Sequence, residues 1–264
     1  HPFCSGSGSD VRITTRTDEA DPLNCLYSTI HEVGHALYNQ GLTDAFLPAA
    51  DYVSMGVHES QSRFWENQIG RSRPFMDYLY PTMKDAFGAF GVPDADALFA
   101  VVNRVESGFI RTEADEVHYN LHILLRFELE RDLISGTLEV DDLEAEWNRR
   151  FERDFGVAVP DPALGVLQDV HWSAGLFGYF PTYSLGNLYG ACLDRAMRAE
   201  MPDRDDMVSK AETQPILDWM RDKVHTKGRL MKAPALIEAA TGEAPSAEPL
   251  LDYLEAKFGV LYEL

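Results

Sequence analysis

His31, Glu32 and His35, within TIHEVGHALYNQG at Thr29 to Gly41, are residues of the types and at the spacing that metal-assisted hydrolysis uses. On a helix of 3.6 residues per turn, positions i and i+4 share a face, so both imidazoles can direct a ring nitrogen at one ion about 2.0–2.1 Å away. Glu32 is rotated about 100° from His31 and borders that ion without having to ligate it. Two neutral nitrogen donors and a carboxylate able to take a proton from metal-bound water are the parts of a zinc hydrolase site. Chance placement of an HExxH pattern in a chain of this composition is on the order of one in fifty.

A catalytic zinc takes a third protein ligand and keeps one position open for water. Glu59, in VHESQSRFWEN and 24 positions after His35, is the first candidate, because two helices joined by a loop of that length can pack antiparallel across the ion. His58 is its rival, and the competing reading of this HE pair is a solvated helix face. His118 and His122 also have ligand spacing, but Tyr119 follows the first histidine where a general base would stand. A structural role, or one behind the ligands, is expected there.

The elements that must position these residues read as amphipathic helices with short Gly/Pro punctuation. Asp21 as N-cap, Pro22 at the first helical position and Gly41 after the end delimit the helix of the HEVGH motif. Further helices are expected over Met55–Ile69, Ala114–Ile134, Asp141–Phe155, Thr182–Glu200, Pro215–Thr226, Ala233–Ala240 and Ala247–Phe258. DVRITTR at Asp10 to Arg16 alternates as a short hairpin or edge strand does, after the flexible CSGSGSD. GLFGYFPTY, from Gly175 to Tyr183, is expected as an aromatic-rich loop between helices. The class is mainly α, and 264 residues with 45% hydrophobic content suffice for one sizeable core, so a single domain is expected.

The 23 Lys and Arg residues against 43 Asp and Glu leave a formal net charge of -20, which disfavours nucleic acid and anionic membranes as partners. Cys4, Cys25 and Cys192 are odd in number and unpatterned, so neither a disulfide framework nor a CxxC metal site is expected, and a reducing, cytoplasmic setting is the default. No apolar run reaches bilayer-spanning length, and the amino terminus does not read as a signal peptide.

Taken in order, HPF at His1, DVRIT at Asp10, HEVGH at His31, HES at His58, IRTEAD at Ile110, GVLQDVHW at Gly165 and GYFPTYSLG, which holds Tyr179, resemble the motifs of the carboxypeptidase Taq family of HExxH zinc metallocarboxypeptidases. The resemblance implies a multi-helix, zincin-like metallopeptidase fold with a deep active-site groove. His31, His35 and Glu59 would be the zinc ligands and Glu32 the catalytic base, with cobalt or manganese as substitute metals. It also implies release of single amino acids, with broad specificity, from peptides bearing a free carboxyl end, often by a homodimer. Members of the family are longer, with a helical region ahead of HPF, so residues 1–264 are expected to be the catalytic, C-terminal portion of such an enzyme. An endopeptidase, a dipeptidase or a zinc-binding remnant without activity is the alternative.

Peptide hydrolysis through a tetrahedral intermediate needs a donor for the oxyanion. Tyr179, Tyr183 and His171, which flank the Gly-rich loop, are the candidates, since related helical zinc peptidases use Tyr and His from a comparable segment. Recognition of a terminal carboxylate suits a guanidinium, which donates two parallel hydrogen bonds. Arg111 is the first choice and Arg12 the second, although either could form an ion pair, with Asp115 or Asp10 respectively. His1 is expected to contribute to the groove. Asp115 and Asp169 are candidates to orient ligating imidazoles by accepting their remaining N–H.

Overall fold

The computed structural model describes residues 2–42 and 51–264. A two-stranded antiparallel hairpin, β1 (Phe3–Ser7) and β2 (Asp10–Thr14), pairs Phe3 with Thr14 and Ser7 with Asp10. The alternation in DVRIT is therefore a real strand, although the flexible stretch expected before it, CSGSGSD, supplies most of its partner. Helices account for nearly all the remaining regular structure, and the chain forms two compact units, His1–Val102 with Leu185–Leu264, and Asn103–Ser184.

In the first unit, α1 (Pro22–Gly41) is capped by Asp21, whose carboxylate accepts from the Asn24 amide at 3.1 Å. α2 (Met55–Arg63) is capped by Ser54 in the same way, from the Val57 amide. The helix expected to run on to Ile69 instead changes to a π-helix over Phe64–Gly70, a widened turn often found at functional sites. α3 (Arg73–Phe87) and α4 (Ala95–Val102) follow; neither is among the helices expected from the sequence. Pro81 lies inside α3 and argues locally against a helix. The helix is held by its tertiary contacts, Met76, Leu79 and Met83 packing with Tyr27, Leu98 and Val102. The larger core of this unit gathers Tyr38, Phe64, Leu193, Met197, Ile216, Met220 and Leu236.

The second unit carries α5 (Glu116–Ser135) and α6 (Leu143–Phe155). Trp147, Phe151 and Phe155 bury against Leu125 and Leu129, while Phe180 packs on Tyr119 and Ile123. The aromatic-rich segment is tied down by Glu130, which accepts from the Trp172 indole N–H at 2.8 Å and from the Gly178 amide at 3.0 Å. The next helix, α7 (Pro181–Glu200), leads into the carboxyl-terminal helices of the first unit: α8 (Arg204–Ser209), α9 (Gln214–Lys223), α10 (Ala233–Thr241) and α11 (Glu248–Tyr262). α8 is short and was not legible in the sequence. It is anchored by Arg204, fully buried, which reaches Asp194 at 2.6 Å and the Gln68 carbonyl at 3.0 Å.

Two glycines set how closely the site-bearing helices approach. A Cβ added to Gly34 would lie 2.6 Å from the Gln61 carbonyl oxygen and the Ser62 Cα, and one on Gly186 would lie 2.5 Å from the Glu59 Cγ. α1 thus touches α2 at backbone level and α7 touches the Glu59 side chain. Gly34→Ala is expected to force α1 off α2, to lower stability by about 1–3 kcal/mol in urea unfolding, and to weaken metal binding in the same variant. A variant as stable as the parent would refute this account of the contact.

Candidate functional site

HESQS, from His58 to Ser62, is polar throughout yet buried, with Ser60, Gln61 and Ser62 fully enclosed. The solvated-face reading of this segment is therefore wrong, because α1 and α7 cover it through Gly34 and Gly186. Its hydroxyls are satisfied within the helix, Ser60 donating to the Val57 carbonyl and Ser62 to that of Glu59. Gln61 accepts from His225 at 2.9 Å and donates to Ser60 at 3.1 Å, so its buried amide has partners at both its oxygen and its nitrogen.

Across this contact the Glu59 carboxylate faces the two histidines of α1. His31 Nε2 lies 3.8 Å from Glu59 Oε1 and His35 Nε2 lies 3.4 Å from Oε2, and the three donor atoms are all within 4.8 Å of one another. Tetrahedral ligands at zinc distances would be separated by roughly 3.3 Å. Two imidazole nitrogens and a carboxylate, converging within 4.8 Å, are a donor set that fits a divalent cation. Among the described residues this is the one cluster of three or more such donors able to do so.

Each ring's second nitrogen is also engaged. His31 Nδ1 meets Glu66 Oε2 at 2.9 Å, and His35 Nδ1 lies 3.1 Å from the His58 carbonyl and 2.6 Å from His58 Nδ1. If His35 keeps Nε2 free for a cation, its Nδ1–H donates to His58, and His58 Nε2–H donates to Asn39 Oδ1 at 2.9 Å. Burial pushes the His58 pKa down to about 3, so that ring is neutral, as this chain of donors requires. His58 therefore stands behind His35 rather than as a third ligand.

Glu32 is buried on the same helix, and burial raises its carboxyl pKa against the attraction of His31 and His35. A carboxylate displaced toward neutrality in this way is suited to exchanging protons with a reacting water. Glu66 and Arg63 were missed in the sequence, although ESQSRFWE places Glu59, Arg63 and Glu66 at i, i+4 and i+7. Arg63 donates to Glu59 Oε1 at 3.1 Å and to Glu66 Oε2 at 3.2 Å, and Arg71 reaches Glu66 Oε1 at 3.5 Å. Burial alone would raise the Glu66 carboxyl, but Arg63, His31 and Arg71 together hold its pKa at about 2.

Of the remaining candidates, Arg12 belongs to the first unit and those between Asn103 and Ser184 to the second. Arg111 is buried with its fork closed on Asp169, Nε at 3.1 Å and Nη2 at 2.7 Å from Oδ1, while Nη1 donates to the Tyr119 hydroxyl. The expected partner Asp115 instead caps α5 and accepts from His118 Nδ1 at 2.8 Å. Asp169 also accepts from Arg126 at 2.7 Å, so its first duty is to neutralise two buried guanidiniums. The histidine partners of these aspartates are His118 and His171 rather than His31 or His35. His171 Nε2 and the Tyr183 hydroxyl are 3.0 Å apart, with the Tyr179 ring 5.4 Å from His171, so these three candidates do gather. Burial lowers the His171 pKa against the opposing pull of Asp169. His122 is enclosed by Phe151 and Phe155, with burial lowering its pKa to about 3. In the second histidine pair, His118 is thus a partner of the α5 cap and His122 a core residue. Arg12 lies exposed on β2, paired with Asp10 at 2.8 Å. His1 is outside the described residues.

Zinc salt at a hundred times its dissociation constant is expected to stabilise the chain by about 2.7 kcal/mol, seen as a rise in Tm that a chelator reverses and Glu59→Gln abolishes. Asp169→Asn is expected to cost about 3–5 kcal/mol in denaturant unfolding, because it leaves Arg111 and Arg126 buried without their counter-charge. A loss below 1 kcal/mol would show that this network is not structural.

A family model described as carboxypeptidase Taq (M32) metallopeptidase matches residues 1–258. Thermostable carboxypeptidase 1 of Thermus thermophilus is 48% identical over 266 residues, spanning 99% of this chain and 52% of that protein. Carboxypeptidase 1 of Bacillus subtilis is 41% identical over 268 residues, spanning 100% of this chain and 54% of its own length. A crystal structure of an M32 carboxypeptidase from Deinococcus radiodurans superposes with a TM-score of 0.95 at 43% identity, covering 100% of this chain and 54% of that one. The chain spans about half the length of the curated relatives it matches. A match over nearly every residue, with the histidines, Glu32 and Glu59 assembled in the structure, means that the chain belongs to the carboxypeptidase Taq (M32) metallopeptidase family.

Proposed function

We propose that the chain is the catalytic portion of a zinc-dependent metallocarboxypeptidase that releases single amino acids, with broad specificity, from peptides with a free carboxyl end. The observation that carries this reading is the convergence of His31, His35 and Glu59 beside the buried carboxyl of Glu32. His31 Nε2, His35 Nε2 and Glu59 would hold the ion, with cobalt or manganese as substitutes. When bound, zinc supplies a Lewis acid and lowers the pKa of water toward 7.

Glu32 accepts the proton of the attacking water and passes it to the leaving amine. His171, Tyr179 and Tyr183 are assigned as donors to the oxyanion, supported by the 3.0 Å contact of His171 with Tyr183. Arg111 retains unpaired N–H bonds beyond those given to Asp169 and Tyr119, and through these it would meet the substrate carboxylate. Arg12 is the second choice; its exposed pair with Asp10 is weak enough to exchange. His1 belongs to the reading as a wall of the groove. Among the described residues no helix is long and apolar enough to cross a membrane, and Cys4, Cys25 and Cys192 are all unbridged. The reading places the protein in the cytoplasm as a homodimer, with neither nucleic acid nor membrane as partner.

The half-length match to the relatives favours a second reading, a zinc-binding portion without turnover of its own. An amino-blocked peptide offered with free and with amidated carboxyl ends separates the two. Release of free amino acid from the free acid alone, abolished by Glu32→Gln, is the expected result. Cleavage of the amide would point to an endopeptidase, and zinc binding without cleavage to the second reading. Tyr179→Phe or Tyr183→Phe, whichever removes the oxyanion donor, is expected to lower kcat by about 10²–10³ with zinc still bound. Full turnover in both would remove the tyrosines from this role.

A further inference from the structure

We propose that Glu66 is the positioning residue of the metal site, holding His31 in the tautomer and rotamer that presents Nε2 to the ion. The inference rests on the proposed metal site and extends it to a residue outside the donor set. Three observations carry it. Glu66 Oε2 lies 2.9 Å from His31 Nδ1, while Nε2 of the same ring faces Glu59. A carboxylate accepting at Nδ1 fixes the proton there, which leaves the lone pair of Nε2 for a cation.

The carboxylate is itself held on both oxygens. Arg63 donates to Oε2 and Arg71 reaches Oε1, so rotation of the carboxyl group would break two charged contacts as well as the imidazole bond. Arg63 also donates to Glu59 Oε1. One guanidinium therefore spaces the ligand carboxylate from the positioning carboxylate, and the relative placement of His31 and Glu59 depends on it. Finally, Glu66 lies in the first turn of the π-helix that interrupts the α2 segment. The widened turn sets the height at which its side chain meets α1, which a helical projection of the sequence does not show.

His31 and His35 are thus supported differently. His35 leans on a neutral imidazole and a backbone carbonyl, whereas His31 leans on a full charge. Loss of Glu66 charge should therefore act on the ion through His31 alone. The chemistry balances without transfer: the Nδ1 proton stays on the ring and the carboxylate stays ionised throughout.

The test uses the full chain, with zinc affinity measured by competition against a chromophoric chelator and histidine tautomers read by ¹⁵N–¹H NMR of the zinc-loaded, ¹⁵N-histidine-labelled protein. Glu66→Gln keeps the volume and a weaker acceptor. It is expected to bind zinc about 10–100-fold more weakly, with the far-UV circular dichroism of the metal-free protein unchanged. The low-field His31 Nδ1–H resonance of the parent should move upfield or vanish. Parent-like affinity, or a weaker affinity with that resonance unmoved, overturns the proposal. If Glu66→Gln does not fold, the parent spectrum decides alone: His31 protonated at Nδ1 and metallated at Nε2 upholds the proposal, and the opposite tautomer defeats it. A parent chain that binds no zinc would bring down the metal site itself, a failure distinct from parent-like affinity in the variant.

Discussion

The contact of α1 with α2 at Gly34 is the constraint on which the site depends. Two helix backbones meet there with no side chain between them, so the residues on either side of Gly34 are carried to the face of α2 that bears Glu59. The same closeness encloses His58 to Ser62. A buried polar helix is costly unless its groups are paired, and here serine hydroxyls turn back on their own helix while His225 and Asn39 meet the rest. Gly186 completes the arrangement by letting α7 lie against the Glu59 stem. Close approach at Gly34 and Gly186 sets how near Glu59 comes to the histidines.

Charge explains why such a cluster holds together. Glu32, Glu59 and Glu66 influence one another electrostatically, and Arg63 and Arg71 are the fixed cations paired with two of them. With neutral imidazoles, the site carries more negative charge than these guanidiniums balance. Burial then favours either a proton or a metal cation; the Glu32 carboxyl is raised first by burial and secondarily by Glu59 and Glu66. A divalent ion between His31, His35 and Glu59 would relieve the excess negative charge, as metal binding commonly does where ligands and charge have been gathered in advance.

The second unit pairs its buried charges through a carboxylate. Arg111 and Arg126 are both buried, and Asp169 serves the two with its separate oxygens. Their planar groups also lie over aromatic rings, Arg111 above Tyr183 at 4.6 Å and Arg126 above Trp147 at 4.7 Å. Stacking of this kind orients Tyr183, and Tyr183 in turn meets His171. The polar residues of this unit are therefore linked from the ion network outward, and a change at Asp169 would be felt at the tyrosine.

Local rules of the chain determined a good deal. The Asp21 cap, Pro22 and the HEVGH spacing delimit α1 and put both imidazoles on one face, because those features act within a few residues. Most other helices were legible to within a few residues for the same reason. α3, with Pro81 inside it, was not, since only its packing on Tyr27 and Leu98 outweighs the proline. Between Glu59 and His58, the sequence favoured Glu59 but left His58 open as a rival. Adjacent residues point about 100° apart on a helix, and which one faces α1 depends on the close approach at Gly34. Arg111 shows the same limit: a guanidinium in a motif offers bidentate recognition, but its first partner, Asp169, lies 58 positions away. Residue types and helical periods thus determined the class of chemistry and the two histidines. Partner identity, burial and the shared protons were decided by tertiary structure, because they depend on distances between segments that no local period encodes.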